Sequence, residues 1–236
     1  NMTPLVKPQE TESPFVSWCG KRIEGIVFDV DGTLTNSIEA YYEVFREVTA
    51  KFGIEVKRED VLEPMSTGSL IWDRAIPRHI ADRDEKIKQC MELIPQIYRE
   101  VFQRVQPFPG LELVLRTLEE RGITLGVLTS SRSVAVRPLH DHSLSHYFKV
   151  IMTHEDGFLP KPAPDGILEC LRRMEIYPSD ALNIGDSPLD IRAGKVAGTL
   201  TVGVLTGIGN RAQLEAEEPT AILERVTELL SLLELN

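Results

Sequence analysis

The sequence predicts an α/β protein built on a mostly parallel sheet, with an all-helical segment inserted after the first core strand. Three observations carry that prediction. From Gly110 onward, strand-like and helix-like runs alternate with short loops, which demands right-handed crossovers and a sheet covered on both faces. Between residues 36 and 106 no convincing strand occurs. The 236 residues fit one large domain, or one domain carrying an insertion.

In chain order, residues 1–21 carry Pro4, Pro8 and Pro14 among polar residues and read as an irregular lead-in. Ile23 to Phe28 is a short apolar run fit for a buried strand, and it ends in Asp29. The pattern then turns helical. Ile38, Tyr41, Tyr42, Phe45, Val48 and Phe52 recur at three- and four-residue steps, with Asn36 or Ser37 as cap and Gly53 as stop. Further helices follow, broken at Pro64, Gly68 and Pro77, and then a long amphipathic stretch from Asp84 to Gln106, interrupted at Pro95. Pro107-Phe-Pro-Gly110 punctuates the chain. Beyond it the spacing predicts a helix over Leu111–Arg121, a strand over Ile123–Leu128 and a helix over Val134–Leu144. A strand over Phe148–Met152, a helix over Asp165–Met174 and a strand over Ala181–Ile184 come next. Last are a helix over Leu189–Ala197, a strand over Leu200–Val204, and helices at 211–216 and 219–235, the Leu/Glu pattern at 222–235 reading as a final helix laid over the sheet. The expected division is a lead-in at 1–21, a core at 22–35 and 107–236, and a helical insertion at 36–106.

Composition narrows the function. Lys and Arg number 26 against 36 Asp and Glu, a net charge of −10, which excludes a general nucleic-acid binder. No run approaches the roughly 18 apolar residues of a membrane span, and the beginning of the sequence lacks the basic-then-apolar pattern of a secretory signal. Cys19, Cys90 and Cys170 form no CxxC and read as reduced thiols of a cytoplasmic protein. The five histidines make no HExxH, and His140 and His142 would lie on different faces of a helix, so no zinc site is expected.

In an open parallel sheet, ligands bind outside the carboxyl ends of the strands. The chemistry-bearing residues fall at those ends. The first strand runs into Asp29-Val30-Asp31-Gly32-Thr33-Leu34, the 123–128 strand into Thr129-Ser130-Ser131, and the 181–184 strand into Gly185-Asp186-Ser187, with Asp190 four residues on. Lys161 follows the 148–152 strand in Lys161-Pro-Ala-Pro-Asp165. A lone Asp after a strand is an ordinary turn or cap residue. Four such signals in order, each at a predicted strand end, converge on one edge. Unscreened carboxylates there would raise one another's pKa. A divalent cation resolves the repulsion, and an all-oxygen site that leaves room for a phosphate suits Mg²⁺. Hydroxyls and N–H groups at Thr129-Ser130, with the Lys161 ammonium, suit phosphate oxygens. The chemistry this suggests is phosphoryl transfer.

Over about residues 23–232, the motifs DVDGTL (29–34), LTSS (128–131), KPAPD (161–165) and GDSPLD (185–190) resemble the haloacid dehalogenase-like hydrolase superfamily. The resemblance implies a Rossmann-like core with a small helical cap. It implies Asp29 as the nucleophile that forms an aspartyl-phosphate, and Asp31 as general acid/base whose backbone carbonyl also reaches the metal. It implies Thr129 and Ser130 as phosphate contacts, Lys161 as the lysine that steadies nucleophile and phosphoryl group, Asp186 as a Mg²⁺ ligand, and Asp190 as a ligand or an acid just behind the ligands.

Within that superfamily, dehalogenases and phosphonatases lack the acid matching Asp31, so the DVD points to phosphate. Cap and motifs are most similar to phosphoglycolate phosphatase-like members, which implies hydrolysis of a small phosphorylated metabolite. A mutase of the β-phosphoglucomutase type is the alternative; such mutases carry a histidine where this sequence has Tyr41. A catalytically silent binding protein is another, and it would be expected to have lost Asp29 or Asp31. The cap should select the substrate. Residues 64–69 read as a flexible loop between cap helices, making Ser66, Thr67 and Gly68, with Arg74 one helical turn beyond, candidate substrate contacts; an ordinary helix connection with a surface arginine is the other reading. Trp72, Tyr98 and Phe102 read as cap packing, with substrate stacking as the alternative. No membrane partner is expected, and the chain is expected to be a monomer or homodimer.

Overall fold

The computed structural model describes residues 16–235. The first fifteen residues of the expected lead-in therefore lie outside the described residues. The remainder of that segment is not irregular. It forms a hairpin of β1 (Val16–Trp18) and β2 (Lys21–Ile23) that turns at Cys19-Gly20, both at positive φ. Val16 and Ile23 are buried beneath it. The first core strand, β3 (Gly25–Phe28), is correspondingly shorter than its apolar run, because Ile23 belongs to the hairpin. All four residues of β3 are buried, as a strand covered on both faces must be.

The cap follows: α1 (Ile38–Ala50), α2 (Arg58–Thr67), the single turn α3 (Trp72–Ala75) and α4 (Arg83–Phe102). Two expected interruptions are absent. Pro64 lies inside α2 and Pro95 inside α4. A proline removes one ladder bond, but Pro95 sits on the exposed side while Cys90, Ile97 and Val101 keep a continuous buried face, and that packing carries the helix through. Helices α1 and α4 pack as a pair around Val44, Val48, Ile97 and Val101. The chain leaves and re-enters the core side by side: the Asn36 N–H donates to the Gln106 carbonyl and the Phe108 N–H to that of Leu34, 2.9 Å each.

The rest of the core runs α5 (Leu111–Glu120), β4 (Thr124–Leu128), α6 (Arg137–Asp141), β5 (Phe148–Met152), α7 (Asp165–Met174), β6 (Ala181–Gly185), α8 (Pro188–Ala197), β7 (Leu200–Val204), α9 (Arg211–Glu215), β8 (Ala221–Leu223), α10 (Leu229–Leu232) and β9 (Glu234–Leu235). Strands β5-β4-β3-β6-β7-β8 form one parallel six-stranded sheet. The fold class is the one the sequence predicts. Two helices differ. The 134–144 segment is a 3₁₀ turn (Ser133–Val136) leading into the short α6. The expected helix over 219–235 is instead a sixth strand, a 3₁₀ turn, one α-helical turn and β9, which pairs antiparallel with β1. Its leucine spacing is still used. Leu223, Val226, Leu229 and Leu233 all enter the main core beside Val16 and Trp18, and what changes is the backbone that delivers them.

Candidate active site

Strands β3, β4 and β6 are adjacent in the sheet, so their carboxyl ends meet by topology alone. Immediately after β3 the chain makes a tight turn. The N–H groups of Thr33, Leu34 and Thr35 all donate to the Val30 carbonyl, and Gly32 takes φ +78°. This turn presents Asp29 and Asp31. Lys161 reaches in beneath them, its Nζ 3.0 Å from Asp29 Oδ1 and 2.6 Å from Asp190 Oδ1, and it is almost completely buried with both partners. Asp186, on the loop after β6, offers a carboxylate oxygen within 4.8 Å of one of Asp29's. Thr129 is buried at the end of β4, its hydroxyl oxygen accepting the Ser131 N–H at 3.0 Å, while Ser130 is exposed next to it. The structure thus brings together Asp29, Asp31, Asp186, Asp190 and Lys161, and sets Thr129 and Ser130 at the neighbouring strand end.

The electrostatics follow from crowding. Burial pushes the Asp29 carboxyl up to about 7, with the Asp190 charge adding to the effect and Lys161 opposing it. Burial, then Asp29 and Asp190, raise Asp186. Burial works against the Lys161 charge, yet Asp190 and Asp29 override it and hold the ammonium above its ordinary range. Ligand oxygens of Asp29, Asp186 and Asp190 lie within 4.8 Å of one another, an anionic all-oxygen set that could hold a hard divalent cation. Asp190 is the member already engaged: Oδ1 accepts from Lys161, and Oδ2 accepts from the N–H and hydroxyl of Ser187 in a capping box at the start of α8.

Several residues that matter here were not picked out from the sequence. Thr33 Oγ1 donates to Asp186 Oδ1 at 3.1 Å, and the Ile208 N–H donates to Asp186 Oδ2 at 2.8 Å. The loop that carries Ile208 presses directly on that carboxylate. A Cβ on Gly207 would lie 1.9 Å from Asp186 Oδ2, so only glycine fits. The signal was the Gly207-x-Gly209 run, with two residues separating it from the strand before it, which reads as a loop approaching something closely.

Asp31 is held from the cap side. Oδ1 accepts the Ser37 hydroxyl at 2.7 Å, and Oδ2 contacts Tyr41 Oη at 2.9 Å and Ser131 Oγ at 2.8 Å. Ser37 thus uses its hydroxyl on Asp31 instead of capping α1, where no side-chain cap bond forms. Tyr41 Oη also touches Ser131 Oγ at 2.7 Å and Tyr98 Oη at 2.9 Å. Ser37, Tyr41 and Ser131 thus all donate to the Asp31 carboxyl, with the Tyr98 hydroxyl behind that of Tyr41. Burial raises the Asp31 pKa, against those hydrogen bonds from Ser37, Ser131 and Tyr41.

The four cap candidates are placed differently from the expectation. Residues 64–67 form the last turn of α2, not a loop. The Ser66 and Thr67 hydroxyls bond back to the Glu63 carbonyl, and Gly68 ends the helix facing Leu189 of α8. Arg74 pairs with Glu63 and Asp60 of the cap itself. None of the four lines the cleft between cap and core. That cleft, about 700 Å³, is walled by other cap residues, Phe45, Trp72 and Tyr98 among them, and by Ser130–Val134 of the core. Trp72 and Tyr98, expected as cap packing with substrate stacking as the alternative, face this space, while Phe102 stacks on Tyr98.

Comparison with known proteins gives a consistent picture. A family model described as haloacid dehalogenase-like hydrolase matches residues 26–204. Pyrophosphatase PpaX of Anoxybacillus flavithermus is 32% identical over 218 residues, 89% of this chain and 97% of that protein. Pyrophosphatase PpaX of Bacillus cereus strain G9842 is 29% identical over 214 residues, 90% of this chain and 97% of that protein. Among solved structures, a predicted phosphoglycolate phosphatase of Haemophilus somnus superposes with a TM-score of 0.79 at 22% identity, covering 89% of this chain and 97% of that one. A β-phosphoglucomutase of Clostridium difficile superposes with a TM-score of 0.71 at 21% identity, over 88% and 93%. At these identities the structural matches speak for the fold alone.

Proposed function

The chain belongs to the haloacid dehalogenase-like hydrolases, and from that premise we propose that it is a Mg²⁺-dependent phosphatase that hydrolyses a small organic phosphate monoester through an aspartyl-phosphate on Asp29. One observation carries the reading: Asp29 stands between Lys161 and Asp186, two residues from an acid held by hydroxyls. With Asp190 committed to Lys161 and Ser187, Asp29 and Asp186 are the carboxylates that would hold the ion. Bound there, Mg²⁺ supplies Lewis-acid stabilisation of charge on the transferring phosphoryl group.

The chain's own residues do the rest. A carboxylate oxygen of Asp29 attacks phosphorus, the bond to the ester oxygen breaks, and Asp31 gives its proton to that departing oxygen. Water then attacks the phosphorus of the aspartyl-phosphate, Asp31 takes its proton, and Asp29 is released with inorganic phosphate. Lys161 keeps Asp29 oriented and offsets phosphoryl charge, while Thr129 and Ser130 offer hydrogen bonds to the phosphate oxygens. Asp31 speaks against a silent binding protein, and Tyr41 in place of a histidine speaks against a mutase. The test is hydrolysis of 4-nitrophenyl phosphate with Mg²⁺ and with EDTA, together with acid-quenched mass spectrometry. A phosphoryl adduct on the Asp29 peptide, absent from Asp29→Asn, supports the reading; turnover in EDTA or in Asp29→Asn overturns it.

A further inference from the structure

The cleft between cap and core has a chemistry of its own. Its cap wall is apolar, from Phe45, Met65, Ile71, Trp72 and Ile94, with the Phe45 and Trp72 rings 5.3 Å apart. Met91 also lines it while remaining 56% exposed, a large apolar side chain left without cover. Its floor is polar: Ser130, with the Tyr41 and Ser131 hydroxyls that touch Asp31 Oδ2. An ester oxygen placed to receive the Asp31 proton therefore has its carbon skeleton directed into this space.

The rim adds charge. Arg99 and Arg132 line the cleft and are exposed, and neither makes an ion pair with a described residue. The one acid on the lining, Glu155, already accepts hydrogen bonds from the Ser133 N–H and hydroxyl and from Thr153. Two unpaired guanidinium groups at the mouth of an apolar cleft suit a carboxylate or second phosphate at the far end of a ligand.

Resting on the phosphatase reading, which gives the leaving group this cleft, we propose that the cleft selects phosphate monoesters of an aromatic or extended apolar alcohol bearing a second anionic group. A leaving group as small and polar as glycolate or phosphate would fill little of about 700 Å³ and leave the wall facing water.

The test compares ethyl phosphate, benzyl phosphate and 4-carboxybenzyl phosphate, whose alcohols are of similar acidity, so that differences report binding of the alcohol part and not ease of departure. Pyrophosphate and 4-nitrophenyl phosphate complete the panel. Benzyl should exceed ethyl phosphate in kcat/KM by about tenfold or more, and 4-carboxybenzyl should exceed benzyl. Arg132→Glu, a change at an exposed position, should lower kcat/KM for 4-carboxybenzyl phosphate more than for benzyl phosphate. Phe45→Leu should narrow the gap between benzyl and ethyl. Equal turnover of ethyl and benzyl phosphate, or a preference for pyrophosphate over benzyl phosphate, overturns the proposal while leaving the phosphatase intact. A benzyl preference with no response to the added carboxylate overturns its anionic half. Absence of Mg²⁺-dependent turnover of every compound, 4-nitrophenyl phosphate included, overturns the phosphatase reading and this proposal with it.

Discussion

Tyr41 Oη lies 2.9 Å from Asp31 Oδ2, so the first helix of the cap holds the carboxyl that we propose handles the proton. The phenol ring is packed against Tyr98 and Phe102, with centroids 5.7 and 5.0 Å away, and the hydroxyl is aimed by that packing. Any movement of the cap away from the core must break this contact or drag Asp31 with it.

Tyr41→Phe keeps the ring and deletes the hydroxyl. The lost bond favours the charged form of Asp31, so its removal raises the Asp31 pKa further. The limb of the pH–rate profile that reports loss of the acid's proton should therefore move to higher pH. The rate on an alkyl phosphate should fall about tenfold or more, the equivalent of one charge-assisted hydrogen bond. The loss should be smaller for 4-nitrophenyl phosphate, whose leaving group needs less protonation. Steady-state kinetics across pH on both substrates check this.

Asp29→Asn should abolish turnover and yet stabilise the metal-free protein at neutral and higher pH. Asp29 titrates at about 7 in the fold and near 3.8 when unfolded. Between those values the folded state holds the proton and the unfolded state does not, so folding stability falls as pH rises through the window and stays lower above it. Every tenfold difference in proton affinity between the two states is worth at most about 1.4 kcal/mol. Thermal melts in EDTA from pH 4 to 8 should show the wild type losing Tm relative to Asp29→Asn, and Mg²⁺ should close the gap.

How far the sequence could be read is visible in the contrast between two kinds of residue. Asp29, Asp31 and Asp186 were legible because each follows an apolar run, and Lys161 because its Lys-Pro-Ala-Pro-Asp run lies in the loop after another strand; strand ends in a parallel sheet are where ligands bind. Strand alternation likewise disclosed five of the six strands of the main sheet. The hairpin at 16–23 was not legible, since three-residue strands leave too short an alternation and its partner β9 lies more than two hundred residues away. The last segment misled because leucines spaced for a helix serve equally well when a strand and two turns deliver them to one core. Ser37 and Tyr41 lie outside the motifs, and Ser131, though the last residue of LTSS, has nothing in its spacing that points to Asp31. Their role exists only where the cap meets the core, a long-range geometry that periodicity does not encode.

Gly207→Ala should weaken Mg²⁺ binding without unfolding the chain. The new methyl would overlap Asp186 Oδ2, and relief requires either Asp186 or the loop carrying Ile208 to shift. Calorimetric titration with Mg²⁺ should give an affinity at least about tenfold lower, with the far-ultraviolet circular dichroism unchanged. Equal affinity would mean that the loop moves and the carboxylate does not.

Lys161→Met leaves Asp29 and Asp190 without their common cation. Removing one partner from a buried ionic cluster strands the other charges, a loss of about 3–5 kcal/mol. The variant should melt well below the wild type in EDTA at pH 8, and less so at pH 5, where Asp29 takes up a proton. Turnover should be lost at both pH values.

The three-stranded sheet that joins β1 to β9 has a mechanical consequence. Val16 faces Leu235 and Ser17 faces Glu234, so the entering and departing chains sit at the same end of an antiparallel ladder. A force applied between residues 16 and 235 loads those pairs one after another, as in a zipper, and not all at once in shear. The seam between β1 and β9 should open first and at low force, while the parallel six-stranded sheet, with β3 at its interior, is still whole.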